Sequence, residues 1–149
     1  MSDARTLSPT QRTALLAAWL LAGAGTLPFL AGAADVFLRN GEWLGAVQIY
    51  GAVIASFVCG IHWGAALFAA EALALRLFLI GNIAALLGWA AVLLPAGPGF
   101  LLVAALFAVL LLVDRQLWRA GLSPLWFWRL RVAITAVVVA ACLVIGAVA

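Results

Sequence analysis

Lysine is absent from this 149-residue chain, and only 9% of its residues are charged. A water-soluble domain carries about 25% charged residues, so the polar surface is too small to cover a globule in water. Histidine and tyrosine occur once each, cysteine twice, and Asp and Glu five times together. No P-loop, HExxH, GxSxG or CxxC pattern is present. Catalysis would have to rest on His62, Asn82, Ser56, Tyr50 and a few edge charges, and an enzyme is not expected. One histidine cannot build a bis-histidine haem site, so neither metal nor cofactor is expected. Cys59 and Cys142 lie inside apolar runs and read as two small buried thiols, since free Cys behaves as a small hydrophobe.

What the chain has instead is apolar length. It is 68% hydrophobic, with a mean hydropathy of +1.26. A spanning helix needs about 20 mostly apolar residues, and five such runs fall at about 13–34, 44–70, 76–94, 98–113 and 131–149. The fold class is therefore all-α: a polytopic membrane protein with five transmembrane helices in a single domain, 1–149. Threading the chain through a bilayer puts Arg5, Arg12, Arg76, Arg115, Arg119, Arg129 and Arg131 on one side and Arg39 on the other. The positive-inside rule then predicts a cytoplasmic N-terminus and an outside C-terminus. Basic charge that flanks apolar spans is a topology signal, so nucleic acid is not an expected partner. Residues 1–34 share features with a secretory signal, but the apolar stretch is longer than a signal core, and an uncleaved first span is expected.

Local signals place the elements. Ser8-Pro9 with Gln11 reads as a capping box opening the first helix, which runs to about Ala34 and kinks near Gly23, Gly25 and Pro28. Asn40-Gly41 marks a turn in the first outer loop. The second helix runs from about Trp43 to Ala70 and the third from about Arg76 to Leu94, antiparallel across a short inner turn where Glu71 and Arg76 pair locally. Pro95-Ala96-Gly97-Pro98-Gly99 is an uncharged outer turn. The fourth helix continues to Ala120 with Gly121 as its C-cap, and Ser123-Pro124 restarts the chain as cap plus first-turn proline. Trp118, Trp126 and Trp128 at the inner edge and Trp43 at the outer edge fit an aromatic belt. Five spans cannot divide into two equal inverted halves, which counts against inverted-repeat transporters.

Three groups of residues could carry function. Ala52, Ser56, Gly60 and Gly64 recur every four residues and form a small-residue stripe for helix packing. A second stripe, Gly51, Ala55, Val58, His62, Ala65 and Ala69, is also mostly small. His62 lies roughly 12 Å inside the second helix and Asn82 roughly 9 Å inside the third. Their similar depth suggests a His62–Asn82 hydrogen bond, and with Trp63 and Ser56 they form an intramembrane polar site. At the inner surface, Asp114, Arg115, Arg119, Trp126, Trp128, Arg129 and Arg131 gather. Asp114 is expected to bridge to Arg129 or Arg131, and the segment could bind anionic headgroups or an acidic partner.

Leu27-Pro28-Phe29, Tyr50-Gly51-Ala52-Val53-Ile54, Ser56-Phe57, Gly60-Ile61-His62-Trp63-Gly64, Asp114-Arg115 and Trp126-Phe127-Trp128-Arg129-Leu130-Arg131 resemble a family of small uncharacterised membrane proteins. It occurs in proteobacteria and has a mitochondrial relative named transmembrane protein sixty-nine. The resemblance covers about residues 20–135 and implies a five-helix membrane domain with no assigned activity, hence no transferable catalytic residue. The expected function is a non-enzymatic protein of the bacterial inner membrane: an accessory subunit, assembly factor or scaffold of a larger complex, or a homo-oligomer, with the lipid bilayer as its surroundings. The alternatives are a small carrier or a proton- or quinone-handling protein centred on His62, and an anionic-lipid-binding protein.

Overall fold

The structure, a computed structural model, describes residues 9–149. Six helices follow in order: α1 Pro9–Ala24, α2 Leu27–Leu38, α3 Leu44–Ala66, α4 Glu71–Val92, α5 Ala96–Arg119 and α6 Leu125–Val148. The helices α1 and α2 are two halves of one apolar span, Thr10–Leu38, and with α3 to α6 they give five segments long and apolar enough to cross a membrane. The capping box at Ser8, like Arg5, lies outside the described residues.

The kink predicted in the first span is a break at Gly25–Thr26. Pro28 has no N–H to continue the ladder. Side chains hold the chain at the break: the Tyr50 hydroxyl donates to the Gly25 carbonyl at 2.9 Å, and Thr26 Oγ1 joins its own N–H on the Gly23 carbonyl, at 2.8 Å. Beyond the break the helix continues to Leu38 rather than ending near Ala34. It carries Asp35 inward, where Oδ2 accepts the Trp43 amide at 2.8 Å and so ties the start of α3 to the end of α2. Asn40 and Gly41 both take positive φ, 57° and 78°, and reverse the chain between them.

The turn between α3 and α4 departs from expectation. The helix α3 stops at Ala66, not Ala70, and α4 begins at Glu71, not Arg76. Glu71 and Arg76 form no ion pair, because five residues along a helix place them on different faces. The end of α5 follows the sequence reading. Gly121 takes φ 73°, its N–H bonds the Trp118 carbonyl, and the Leu122 N–H reaches the Leu117 carbonyl, a Schellman closure. The restart differs: Pro124 itself is the N-cap of α6, and Ser123 makes no cap bond.

The helices α3 with α4 and α5 with α6 pack as pairs, and α5 lies against α3 and α4 as well. The core is built on α5, where Phe100, Val103, Phe107, Leu110, Asp114 and Leu117 fall on one face and are all buried. Phe29 of α2 is fully enclosed against it, edge-on to Phe107 at 6.1 Å. Among the described residues, the helix α1 touches little beyond α6. At the end away from the arginine cluster, α3 and α4 are pinned by Gln48, which is buried and donates to the carbonyls of Ala91 and Leu94. These carbonyls lie at and just beyond the C-terminus of α4, where the helical ladder runs out; Ala91 accepts the Leu94 N–H as well, in the closing turn. Cys59 and Cys142 are both free and buried.

Candidate functional site

Three helices each bring one ionisable side chain to a common point near the arginine-rich end. His62 sits four residues before the end of α3, Asp114 five before the end of α5, and Arg131 six after the start of α6. Each is therefore roughly 6–9 Å inside its helix end. His62 Nε2 donates to Asp114 Oδ1 at 2.9 Å, and Arg131 Nε donates to Asp114 Oδ2 at 2.6 Å. The three are 0%, 1% and 8% exposed, so the whole cluster is withdrawn from the surface. A carboxylate can only accept, so Nε2 is the imidazole nitrogen that carries the proton. His62 Nδ1 has no partner.

The cluster settles which arginine Asp114 takes: Arg131 is turned inward on the buried stripe of α6 with Leu130, Thr135 and Val138, whereas Arg129 is exposed. It also corrects the partner expected for His62. Asn82 is exposed and donates to the Phe78 carbonyl of its own helix at 2.8 Å. The reason is depth. The true ends of α3 and α4 put His62 roughly 6 Å and Asn82 roughly 16 Å along their helices from the shared turn. Trp63 is half-exposed and packs on Phe78 at 4.6 Å, and Ser56 faces outward. Of the four residues expected in one intramembrane polar site, only His62 belongs to the buried cluster.

The small-residue stripes divide in the same way. Gly51, Ala55, Val58 and His62 form the buried face of α3. Along the other stripe only Ala52 is partly covered, near Gly88; Ser56, Gly60 and Gly64 are exposed, and a Cβ at Gly60 or Gly64 would meet nothing. The inner-surface group also splits. Asp114 and Arg131 are in the core, while Arg115, Arg119, Arg129 and Trp126 remain exposed. Trp118 stacks on Trp128 with centroids 5.9 Å apart, locking the ends of α5 and α6 together.

Two features were not found from sequence. One is Gln48, a lone amide within an apolar run, where such a group signals a buried partner. The second feature is a cavity of about 360 Å³ between α1, α3 and α6, with Phe107 of α5 at its back. Among the described residues its wall is apolar except for Arg131 and Thr135. Phe57 and Leu21, which also line it, are 68% and 74% exposed, so the opening faces sideways, toward the lipid if the helices span a bilayer. His62 does not line it.

The residues that build this core, from α1 to the end of α6, coincide with a known family model, described as protein of unknown function (DUF3429), which matches residues 15–148. The chain belongs to that family. No curated protein and no solved structure matches it. The DUF3429 match includes every residue of the buried cluster and every wall of the cavity, so both lie in the part of the chain that the family model describes.

Proposed function

We propose that this chain is a non-enzymatic binding protein of the bacterial inner membrane, which takes one apolar molecule from the bilayer into the cavity between α1, α3 and α6. The observation that carries this reading is the cavity itself: it is mostly apolar, has two polar side chains, opens sideways, and falls in the size range of small-molecule pockets. The absence of His62 from its wall argues for holding rather than converting a ligand. The resemblance to a proteobacterial family with a mitochondrial relative supports placement in an energy-converting membrane, where the protein would serve as an accessory subunit or assembly factor. The open face at Ser56, Gly60 and Gly64 supports that role, because close helix approach in lipid uses small residues. Exposed Arg115, Arg119 and Arg129 would lie among headgroups.

Native mass spectrometry of the protein in nanodiscs made from native membrane lipid tests the binding role. The wild type is expected to retain one apolar molecule, and Ala22→Phe, which fills the cavity from α1, is expected to lose it. An equal load on both proteins, or none on either, overturns the reading. The arginine distribution also supports a cytoplasmic N-terminus and an outside C-terminus. Alkaline phosphatase fused at the C-terminus is then expected to be active and a fluorescent protein at the same place dark; the reverse pattern inverts the topology.

A further inference from the structure

The cavity wall has two polar side chains, Arg131 and Thr135, one helical turn apart on the same face of α6. Both are more than nine-tenths buried, at 8% and 2% exposed. Each keeps an atom without a partner: Arg131 Nη2 and Thr135 Oγ1. A buried donor left unmade carries its full desolvation cost, and folded proteins rarely leave two such groups together. The threonine does not even fold back on a carbonyl of its own helix, the usual recourse of a mid-helix hydroxyl. Two unused donors beside one apolar cavity describe a place for an acceptor.

Charge selects the kind of acceptor. The Arg131 guanidinium is already matched by Asp114 through Nε, and the other oxygen of Asp114 is taken by His62. A carboxylate or phosphate head would bring a second negative charge to a wall that, among the described residues, holds no further cation, and an unmatched charge in an apolar setting is costly. A cationic head would oppose Arg131. A neutral acceptor leaves the balance unchanged. Resting on the cavity reading above, we infer that the ligand is a neutral carbonyl-bearing lipid. Its carbonyl oxygen is held by Arg131 Nη2 and Thr135 Oγ1, and its apolar body lies against Phe107, Phe127, Ile134 and Val138. A quinone ring and a glycerolipid ester both supply that carbonyl.

Equilibrium partition of four probes into nanodiscs carrying the full chain tests this: decylbenzoquinone, dioctanoylglycerol, dodecanoate and dodecylbenzene. One of the two carbonyl probes is expected to bind tightest, and which one names the source. Thr135→Val keeps the shape and removes the hydroxyl, so it is expected to weaken that probe about 2- to 10-fold and leave dodecylbenzene unchanged. Thr135→Val is also expected to melt no lower than the wild type, since it removes an unpaired buried group. Arg131→Lys, which can still pair with Asp114, is expected to weaken the same probe. The proposal is overturned if dodecanoate binds tightest, or if Thr135→Val binds every probe as the wild type does, as it would were the two donors met by a trapped water. If no probe enters the wild type, dodecylbenzene included, the cavity reading itself fails.

Discussion

Replacing Asp114 by Ala is expected to lower stability by about 3–5 kcal/mol, the usual loss when one partner of a buried ion pair is removed. The size follows from what is stranded. Asp114 is 1% exposed and accepts from both His62 and Arg131. Without it, a guanidinium that is itself 8% exposed keeps its charge and loses its counter-ion. The imidazole loses the only acceptor it has. Since the three residues come from α3, α5 and α6, all three helices lose their common tie. Thermal unfolding of the protein in mild detergent measures the effect. The double variant Asp114→Leu with Arg131→Met is expected to recover most of the loss, because a buried pair replaced by apolar groups of similar size is often neutral or better. If the double variant is as unstable as the single one, the loss comes from the imidazole that both variants leave without its acceptor and not from the stranded guanidinium charge.

Gly99→Ala is expected to destabilise by about 2–4 kcal/mol, combining overpacking with the loss of a buried hydrogen bond. A Cβ at Gly99 would overlap the Gln48 amide nitrogen and come within 2.8 Å of the Ala91 carbonyl. The carbonyl is backbone and cannot step aside. Gln48 would have to swing out, and the carbonyls of Ala91 and Leu94 would lose its side-chain amide as a donor. Gly60→Ala is the control: nothing lies within 4 Å of a Cβ there, and a helical Gly→Ala change with room to spare gains up to about 1 kcal/mol. A melting temperature for Gly99→Ala equal to that of the control would show that α3 and α5 separate at little cost.

The spans were legible because apolar length is a property of the sequence alone, and so were the turn at Asn40-Gly41 and the closure at Gly121, where backbone conformation favours particular residues. The Asp114–Arg131 pair was within reach for a similar reason: α5 and α6 are joined by a short turn, so residues near it must face each other. The partner of His62 was not. Sequence neighbours suggested α4, and errors of a few residues at the two ends of one turn shifted the inferred depths of His62 and Asn82 by about 6–7 Å in opposite directions, so that two residues read as level lie about 10 Å apart in depth. The better signal was the stripe Val103, Phe107, Leu110, Asp114, Leu117, which carries a carboxylate onto the core face of α5. The cavity left no local trace, since it depends on how far α1 stands from α3 and α6.

The break at Gly25–Thr26 gives the first span leverage. The helix α1 has 16 residues, a rod of roughly 24 Å. A tilt of about 10° at its base therefore displaces the far tip by about 4 Å. The base is steadied by the Tyr50 hydroxyl on the Gly25 carbonyl, while among the described residues the shaft packs mainly on α6. Small rotations at one pair of residues are thus magnified along one side of the cavity, and its width is governed from the end where Tyr50 sits.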